Sequence, residues 1–176
     1  MKNALPVELT LSISAMIIAI ASITISVWEG SIMRKHYHLS VMPRLNNSFE
    51  VEDSSVTNAS AYFEIDNNGL GPGIIISRDY FVDGEKIDDS INHFSVIILK
   101  ALNFDNIAGT TFQSIYNGLT IKAGDNLRLF GLYFNNRDAF YKQRMELHDR
   151  FSFMIQYESL YGERYEVSHN MDKVNR

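Results

Sequence analysis

The sequence predicts a mainly β protein, in which one N-terminal transmembrane helix precedes an antiparallel β-sandwich with one or two short helices. Three observations predict this fold class. An uncharged apolar stretch near the N-terminus has the length of a membrane span, apolar and polar residues alternate in several later segments, and turn residues separate those segments. A small closed β-barrel is the main alternative fold.

The apolar stretch covers residues 9–28 and contains no charged residue. A helix of about 20 residues crosses the roughly 30 Å hydrocarbon core of a bilayer, so a transmembrane helix is the natural interpretation. A cleaved signal peptide and a buried core helix are the alternatives, but Lys2 is nearly alone before the stretch and residues 26–29 form a poor cleavage site. The predicted organisation is a short N-terminal segment (1–8), the transmembrane helix and its interface (9–33), a cytoplasmic β-rich domain (34–170) and a tail (171–176).

Cationic residues near the two helix ends predict its orientation, because Lys and Arg flanks resist translocation. Lys2 alone precedes the helix, whereas Arg34 and Lys35 follow it closely. The bias predicts a single-pass protein with an external N-terminus and a cytoplasmic C-terminal domain. Trp28 is then an aromatic anchor at the inner membrane interface.

Small residues recur along the apolar stretch at spacings of three and four, which places them on one helix face. Such a face lets membrane helices approach closely, and it predicts a homo-oligomer or a complex with another membrane protein. The alternative is that Ser and Ala are simply common in membrane helices. The predicted oligomerisation face consists of Ser12, Ala15, Ala19, Ser22 and Ser26.

The remaining sequence predicts about seven or eight short strands. Leu39, Val41 and Leu45 indicate a first strand that Pro43 interrupts. Residues 58–66 alternate between apolar and polar side chains, as in a half-buried antiparallel strand. Further strands are predicted at 74–76 and 80–82 with Asp83-Gly84 as a tight turn, at 119–121 and 127–134 joined by a turn at 123–125, and at 151–158 and 164–169 joined by a turn at 161–163.

Two helices interrupt the strand pattern. The first has an N-cap signal at residues 88–90, and the second is a short polar helix at 136–148 capped by Asn135 or Asn136. The first helix is predicted from the apolar residues that recur at helical spacing, namely Ile91, Phe94, Ile98, Ala101 and Leu102.

Three segments together resemble a known architecture. They are R-K-H-x-x-L-S-V-x-P-x-L at 34–45, N-N-G-L-G-P-G at 67–73 and Q-Y-E-S-L-Y-G-E at 156–163. With the N-terminal helix, they make the chain similar to a loose group of small, uncharacterised bacterial single-pass inner-membrane proteins with a cytoplasmic β-sandwich-like domain. In that group Ala usually stands where Gly73 stands here. The resemblance implies a fold and a location, and no activity.

Composition excludes several classes of chemistry. The chain has no cysteine, and no G-x-S-x-G, H-E-x-x-H or Walker A motif occurs. The glycines at 69–73 precede strand-like residues, so they predict a turn rather than a phosphate loop. We therefore expect no enzyme activity and no cofactor.

Metal and nucleic-acid partners are also not expected. His36 and His38 are the only close histidine pair, and they would share a face on a strand, but a third metal ligand is not identifiable. Placement at the membrane interface is the favoured account of this pair. The formal charge of −5 without a basic stripe argues against a nucleic-acid partner.

The predicted polar helix contains the most basic part of the C-terminal domain, and aromatic residues are interleaved with it. A basic aromatic patch suits anionic lipid or a small nucleotide. A solvated face with internal ion pairs is the favoured alternative, because acidic residues lie between the basic ones. The candidate ligand or lipid patch consists of Arg137, Lys142, Arg144, His148 and Arg150.

Two functions follow from these expectations. The first is a membrane-anchored interaction module or accessory subunit without intrinsic catalysis, which binds a protein partner through an exposed strand edge. The second is a membrane sensor or effector of a bacterial stress or phage-defence system, whose cytoplasmic domain binds a small nucleotide-like signal while the membrane helices repack.

The predicted oligomerisation face is testable by one substitution. Ala19→Leu should reduce a homo-oligomer, because the larger side chain prevents close helix approach. Crosslinking of the full-length protein in detergent should give an oligomer that Ala19→Leu weakens and that Ile17→Leu, on the opposite side of the helix, preserves. A monomer in every sample would contradict the homo-oligomer.

Overall fold

A computed structural model describes residues 6–53, 59–88, 94–104 and 107–174. The chain divides into two compact units, Met1–Ser40 and Val41–Arg176. The helices in chain order are α1 (Val7–Ser40), α2 (Phe94–Leu102), α3 (Arg137–Arg150) and a final 3₁₀ turn (Met171–Lys173). The strands are β1 (Leu45–Asp53), β2 (Ala59–Asn67), β3 (Gly73–Val82), β4 (Glu85–Ile87), β5 (Ile107–Phe112), β6 (Thr120–Ile121), β7 (Asn126–Phe134), β8 (Phe151–Glu158) and β9 (Arg164–His169).

Helix α1 is long and apolar enough to cross a membrane, and none of its residues is buried. At 1.5 Å per residue its 34 residues extend about 50 Å, which exceeds the roughly 30 Å of hydrocarbon. The prediction of strand structure at Leu39 is wrong, because α1 continues to Ser40. Helix-compatible residues such as Met33 and Arg34 extend it, and the first proline after it is Pro43.

The unit Val41–Arg176 confirms the predicted β-sandwich. One antiparallel sheet has the strand order β1-β2-β7-β5, and the other has the order β4-β3-β8-β9, with β6 also pairing with β3. We call them sheet A and sheet B. Phenylalanines from both sheets fill the space between them: the ring centroid of Phe151 on sheet B lies 5.2 Å from that of Phe63 and 5.5 Å from that of Phe130 on sheet A. All three side chains are fully buried. The core therefore lies between two separate sheets, and the strands do not close into a barrel.

Local turn chemistry is confirmed at two of the three predicted hairpins. Asp83 and Gly84 have φ values of 52° and 85° and form the tight turn that joins β3 to β4. The final hairpin pairs β8 with β9 at the predicted bounds. Helix α3 begins at the predicted cap, where the Asn136 Oδ1 accepts a 2.8 Å hydrogen bond from the Asp138 N–H.

One of the predicted hairpins is wrong. The segments 119–121 and 127–134 do not form a hairpin, because β6 pairs with β3 in sheet B whereas β7 lies between β2 and β5 in sheet A. The turn between them crosses from one sheet to the other.

The predicted first helix is α2, in which Ile98 and Leu102 are buried and Ala101 is exposed. The predicted N-cap at residues 89–90 and Ile91 lie outside the described residues.

The buried side-chain amide of Asn67 joins three segments at one end of the sandwich. Its Oδ1 accepts hydrogen bonds from the Arg44 N–H at 3.1 Å and the Gly69 N–H at 3.0 Å. Its Nδ2 donates to the Gly71 and Ile121 carbonyl oxygens, both at 2.9 Å. All four hydrogen-bonding positions of the amide are therefore used.

The glycines after Asn67 let two backbones touch. A Cβ atom at Gly71 would collide with the Val41 backbone, and one at Gly69 would collide with the backbone of Met42 and Arg44. The Met42 carbonyl oxygen instead accepts the Leu70 N–H at 3.0 Å. The loop 67–73 thus holds the chain where it enters the sandwich, as its Gly-rich sequence predicts for a turn.

Removal of the Asn67 amide should destabilise the domain strongly. Asn67→Ala leaves two backbone N–H groups and two carbonyl groups without their partner, which should lower the free energy of unfolding by about 2–4 kcal/mol. Urea denaturation of the full-length protein in detergent measures this loss. The matched control is Asn68→Ala, since Asn68 is exposed and bonds Arg44 through its backbone. Equal stability of the two variants would contradict the assigned role of Asn67.

Candidate functional site

The predicted oligomerisation face lies along the exposed surface of α1. The hydroxyl groups of Ser12, Ser22 and Ser26 donate to carbonyl oxygens one turn earlier in the same helix, at 2.8–2.9 Å. Ala15 and Ala19 are exposed between them. Because the hydroxyls are satisfied within α1, this face offers close packing rather than free hydrogen-bonding groups. Its use in an oligomer stays a prediction.

The predicted membrane-interface residues are also on α1. Trp28 is 66% exposed. The Arg34 Nε donates to the Gly30 carbonyl oxygen at 3.4 Å, and Lys35 is exposed beside it. His36 and His38 lie in α1 as well, where residues two apart point in different directions, so the shared face expected on a strand does not form.

Part of the predicted basic patch is held by one carboxylate. Arg137 Nη2 and the Tyr141 hydroxyl both donate to the Asp53 Oδ2, at 2.9 Å and 2.7 Å. The hydrogen bonds from Tyr141 and Arg137 hold the pKa of Asp53 below its ordinary value. The Arg144 guanidinium lies 4.9 Å from the centre of the Tyr141 ring. Arg137 is therefore neutralised at the start of α3, and Lys142 is exposed.

Arg150 joins the end of α3 to two other segments. Its guanidinium bonds both carboxylate oxygens of Asp83, with the shortest distance 2.6 Å, and donates to the carbonyl oxygens of Ala101 and Leu102 at 3.1 Å and 2.8 Å. The hydrogen bond with Asp83 raises the pKa of Arg150. Arg150 thus caps the last turn of α2, where cations are favoured.

His148 lies in an aromatic group at the side of the sandwich. Its ring meets that of His169 edge-on at 4.7 Å and that of Phe49 at 5.1 Å. The His169 Nε2 donates to the His148 carbonyl oxygen at 2.9 Å, while its Nδ1 lies 3.4 Å from the Asn47 Nδ2. The structure therefore brings Arg137 and Arg144 together around Tyr141, and places His148 and Arg150 in separate contacts.

A second polar surface lies on the outer face of sheet A. The β1–β2 register sets Glu50 opposite Tyr62 and Glu52 opposite Ser60, and the next outward positions of β2 are Glu64 and Asp66. Arg128 on β7 lies opposite Glu64 in the β2–β7 register. We define the acidic face as Glu50, Glu52, Glu64 and Asp66. These four carboxylates share the face with the guanidinium of Arg128.

Hydrogen bonds fix part of the acidic face. Glu52 accepts the Tyr62 hydroxyl at 2.7 Å and the Ser60 hydroxyl at 3.2 Å. The Arg128 guanidinium lies over the Tyr62 ring, 3.6 Å from its centre, and 3.7 Å from Glu52. The Tyr62 hydrogen bond lowers the pKa of Glu52, and the same bond raises the pKa of Tyr62 to about 12. Glu52 is thus held ionised and in one position.

Glu64 is the carboxylate of the acidic face whose ionised form is disfavoured. Burial raises the pKa of Glu64 most, and the negative charges of Asp66, Glu50 and Glu52 raise it further, while Arg128 opposes them. The Arg128 guanidinium does not cancel these effects. A cationic partner would relieve the repulsion, which is a basis for electrostatic recognition.

The sequence analysis missed the acidic face, although a signal was present. Polar residues alternate in both 46–52 and 60–66. The β1–β2 register is what places the two sets on one surface. Among the residues that the structure describes, no three His, Asp or Glu side chains are placed to hold a metal ion. No protein-family model matches the chain, and no curated protein matches it in sequence.

The Tyr62–Glu52 hydrogen bond should make stability fall at alkaline pH. A tyrosine whose pKa is raised from 10.0 to about 12 stabilises the fold fully below pH 10, and this contribution is lost as the pH rises to about 12. Urea denaturation of the full-length protein across this range should show a shallower decline for Tyr62→Phe than for the wild type. Tyr165, whose pKa is also raised, accounts for part of the remaining decline.

Tyr116→Phe is the matched control, because Tyr116 is 55% exposed. It should follow the wild-type decline. If Tyr62→Phe and Tyr116→Phe behave alike, the Tyr62 hydroxyl does not contribute as described.

Proposed function

We propose that this protein is a membrane-anchored interaction module or accessory subunit with no catalytic activity of its own. Helix α1 is the anchor, since its length and apolar composition suit a membrane span. The charge bias between Lys2 and the pair Arg34 and Lys35 supports a single pass through a bacterial inner membrane, with the N-terminus outside and the sandwich in the cytoplasm. The small-residue face of α1 brings copies, or another membrane protein, alongside.

The acidic face is the observation that carries this proposal. Glu50 and Glu52 are exposed, Glu64 and Asp66 are half-buried, and the four are spread over two neighbouring strands, whereas sites for small molecules are concave and mostly apolar. We infer a basic segment of a partner protein as its ligand, because opposite charge relieves the repulsion around Glu64 and steers association.

The spacing of the acidic face suits an extended partner. Alternate residues of a strand lie about 6.8 Å apart, so Glu50 with Glu52 on β1 and Glu64 with Asp66 on β2 form two pairs with this spacing. Glu64 lies opposite Ser48 and Asp66 opposite Asn46, so the two pairs follow one another diagonally across the strands. A partner strand with Lys or Arg at every second position has the same repeat of about 6.8 Å.

The strand edges suit a partner less well than the acidic face does. β1 lies beside β9, where Asn47 approaches His169. Helix α2 packs against both β3 and β5 on the other side of the sandwich. Covered edges are the usual protection against unwanted strand pairing.

The nucleotide sensor is the second candidate, and the engaged cations give it less support. Arg137 is paired with Asp53, and Arg150 with Asp83. A surface cleft of about 360 Å³ adjoins Arg150, but Asp83 and Asp149 also line it. Two carboxylates beside a paired guanidinium disfavour a phosphate group.

Affinity purification of the full-length protein from native membranes tests the proposal. A stoichiometric protein partner should follow it through size-exclusion chromatography in detergent and dissociate as salt is raised, because ionic screening weakens exposed charge pairs. The double variant Glu50→Lys/Glu64→Lys should lose the partner.

Glu85→Lys/Glu166→Lys is the matched control. It makes the same change of charge at exposed strand positions of sheet B and should retain the partner. A homo-oligomer without any partner would contradict the interaction module and favour the sensor. Retention of the partner by the acidic-face variant would exclude that face as the docking surface.

A further inference from the structure

The outer face of sheet A holds the guanidinium of Arg128 in a formed site. The Tyr62 ring is the floor of this site, since the guanidinium carbon lies 3.6 Å from the ring centre. A Glu52 oxygen lies 3.7 Å from Arg128 Nη2, and Arg128 Nη1 donates to the Tyr133 hydroxyl at 3.4 Å. An aromatic face, a carboxylate and a hydroxyl are groups that recognise a guanidinium. The site therefore matches the side chain of an arginine.

Groups other than Arg128 hold this site in shape. The Tyr62 and Ser60 hydroxyls both donate to Glu52, at 2.7 Å and 3.2 Å, so the carboxylate keeps its position without the guanidinium. Gly131 lies opposite Tyr62 in the β2–β7 register, and a Cβ atom at Gly131 would collide with the Tyr62 side chain. The glycine thus leaves the room that Tyr62 takes up on this face. A site that is formed in advance binds a ligand at a lower ordering cost.

The ion pair between Arg128 and this site is loose. Its two side chains are partly exposed, with 35% of the Arg128 side chain and 53% of the Glu52 side chain accessible. Exposed ion pairs contribute little to stability, because solvent screens them and two long side chains lose freedom. The tether of Arg128 to β7 still favours it over a free ligand. Exchange for another guanidinium therefore needs a second position that receives Arg128.

Glu64 provides that second position. It lies opposite Arg128 in the β2–β7 register, and both side chains are on the outer face of sheet A. Opposite residues of neighbouring strands have Cβ atoms about 5 Å apart, so rotation about its own bonds brings the Arg128 side chain to either Glu64 or Tyr62. Burial and the neighbouring carboxylates raise the pKa of Glu64. A guanidinium placed against Glu64 would favour its ionised form.

We propose that Arg128 is an internal occupant of a guanidinium site, and that an arginine of the basic partner takes its place over Tyr62 while Arg128 turns to Glu64. This inference rests on the proposed function, since it names the side chain by which the partner docks on the acidic face. The docking residue is arginine rather than lysine, because a planar guanidinium stacks on a tyrosine ring whereas an ammonium group is more strongly hydrated. Arg128 excludes other cations from the site in the absence of the partner.

Two synthetic peptides test the site in the full-length protein in detergent. One has arginine at every second position with serine between, and the other has lysine in place of arginine. Fluorescence anisotropy of the labelled peptides gives both affinities, and the ratio of the two cancels the effect of charge. The wild type should bind the arginine peptide about two- to fivefold more tightly, as expected for one guanidinium stacked on an exposed aromatic ring. Arg128→Ala should raise this ratio, because it empties the site over Tyr62.

Substitution of the ring tests Tyr62 as the floor of the site. Tyr62→Leu should abolish the preference for the arginine peptide, whereas Tyr62→Phe, which keeps the ring, should retain a preference. Arg164→Ala on sheet B is the matched control for Arg128→Ala, since Arg164 is also a strand residue and is exposed. It should leave the ratio of affinities unchanged.

The outcomes separate this inference from the proposed function. Equal affinities for the two peptides in the wild type and in Arg128→Ala would overturn the guanidinium site alone. A preference for arginine that Tyr62→Leu leaves intact would also overturn it, because the arginine would then dock elsewhere. Failure of both peptides to bind, or binding that survives Glu50→Lys/Glu64→Lys, would overturn the proposed function together with this inference.

Discussion

The sandwich depends on one buried polar side chain, that of Asn67, which hydrogen bonds hold in place. Asn67 ends β2, and its amide binds the segment that enters the domain, the following glycine loop and β6. A buried amide is costly unless all its hydrogen bonds are made. Every hydrogen bond of the Asn67 amide is made here, and making them requires one backbone arrangement. β2 must end at Asn67, and Gly69 and Gly71 must lie against the incoming backbone. Sheet A and sheet B meet at this point.

The charged groups of the domain serve two different purposes. Asp53 and Asp83 each form an ion pair with an arginine of α3, and these ion pairs attach that helix to the sandwich. On the acidic face, Glu52 is compensated by Arg128 and Tyr62, whereas burial and the neighbouring carboxylates keep the pKa of Glu64 raised. Neutralised charges support the fold, whereas the uncompensated charges are available for a partner. This contrast favours an interaction surface on sheet A over a ligand patch on α3.

Local sequence patterns predicted the features that depend on neighbours in the chain. The Asp83-Gly84 turn, the β8–β9 hairpin and the Asn136 cap all rest on residues within a few positions of one another. Pairings across long separations were not predictable in this way. β6 has only two residues and bonds β3 rather than its neighbour β7, and the acidic face needs a register that joins β1 to β2. The engagement of Arg150 by Asp83 likewise joins positions 67 residues apart.

The contact between β1 and β9 has a consequence for the order of folding. β1 is the first strand of the sandwich and β9 follows all the others, yet Asn47 and His169 meet at the side of the core. Contacts across such a separation form slowly, because loop closure precedes any gain from packing. During synthesis, α1 is complete long before this side of the sandwich can close. Sheet A therefore stays incomplete during that interval, and its exposed strands are prone to wrong pairing.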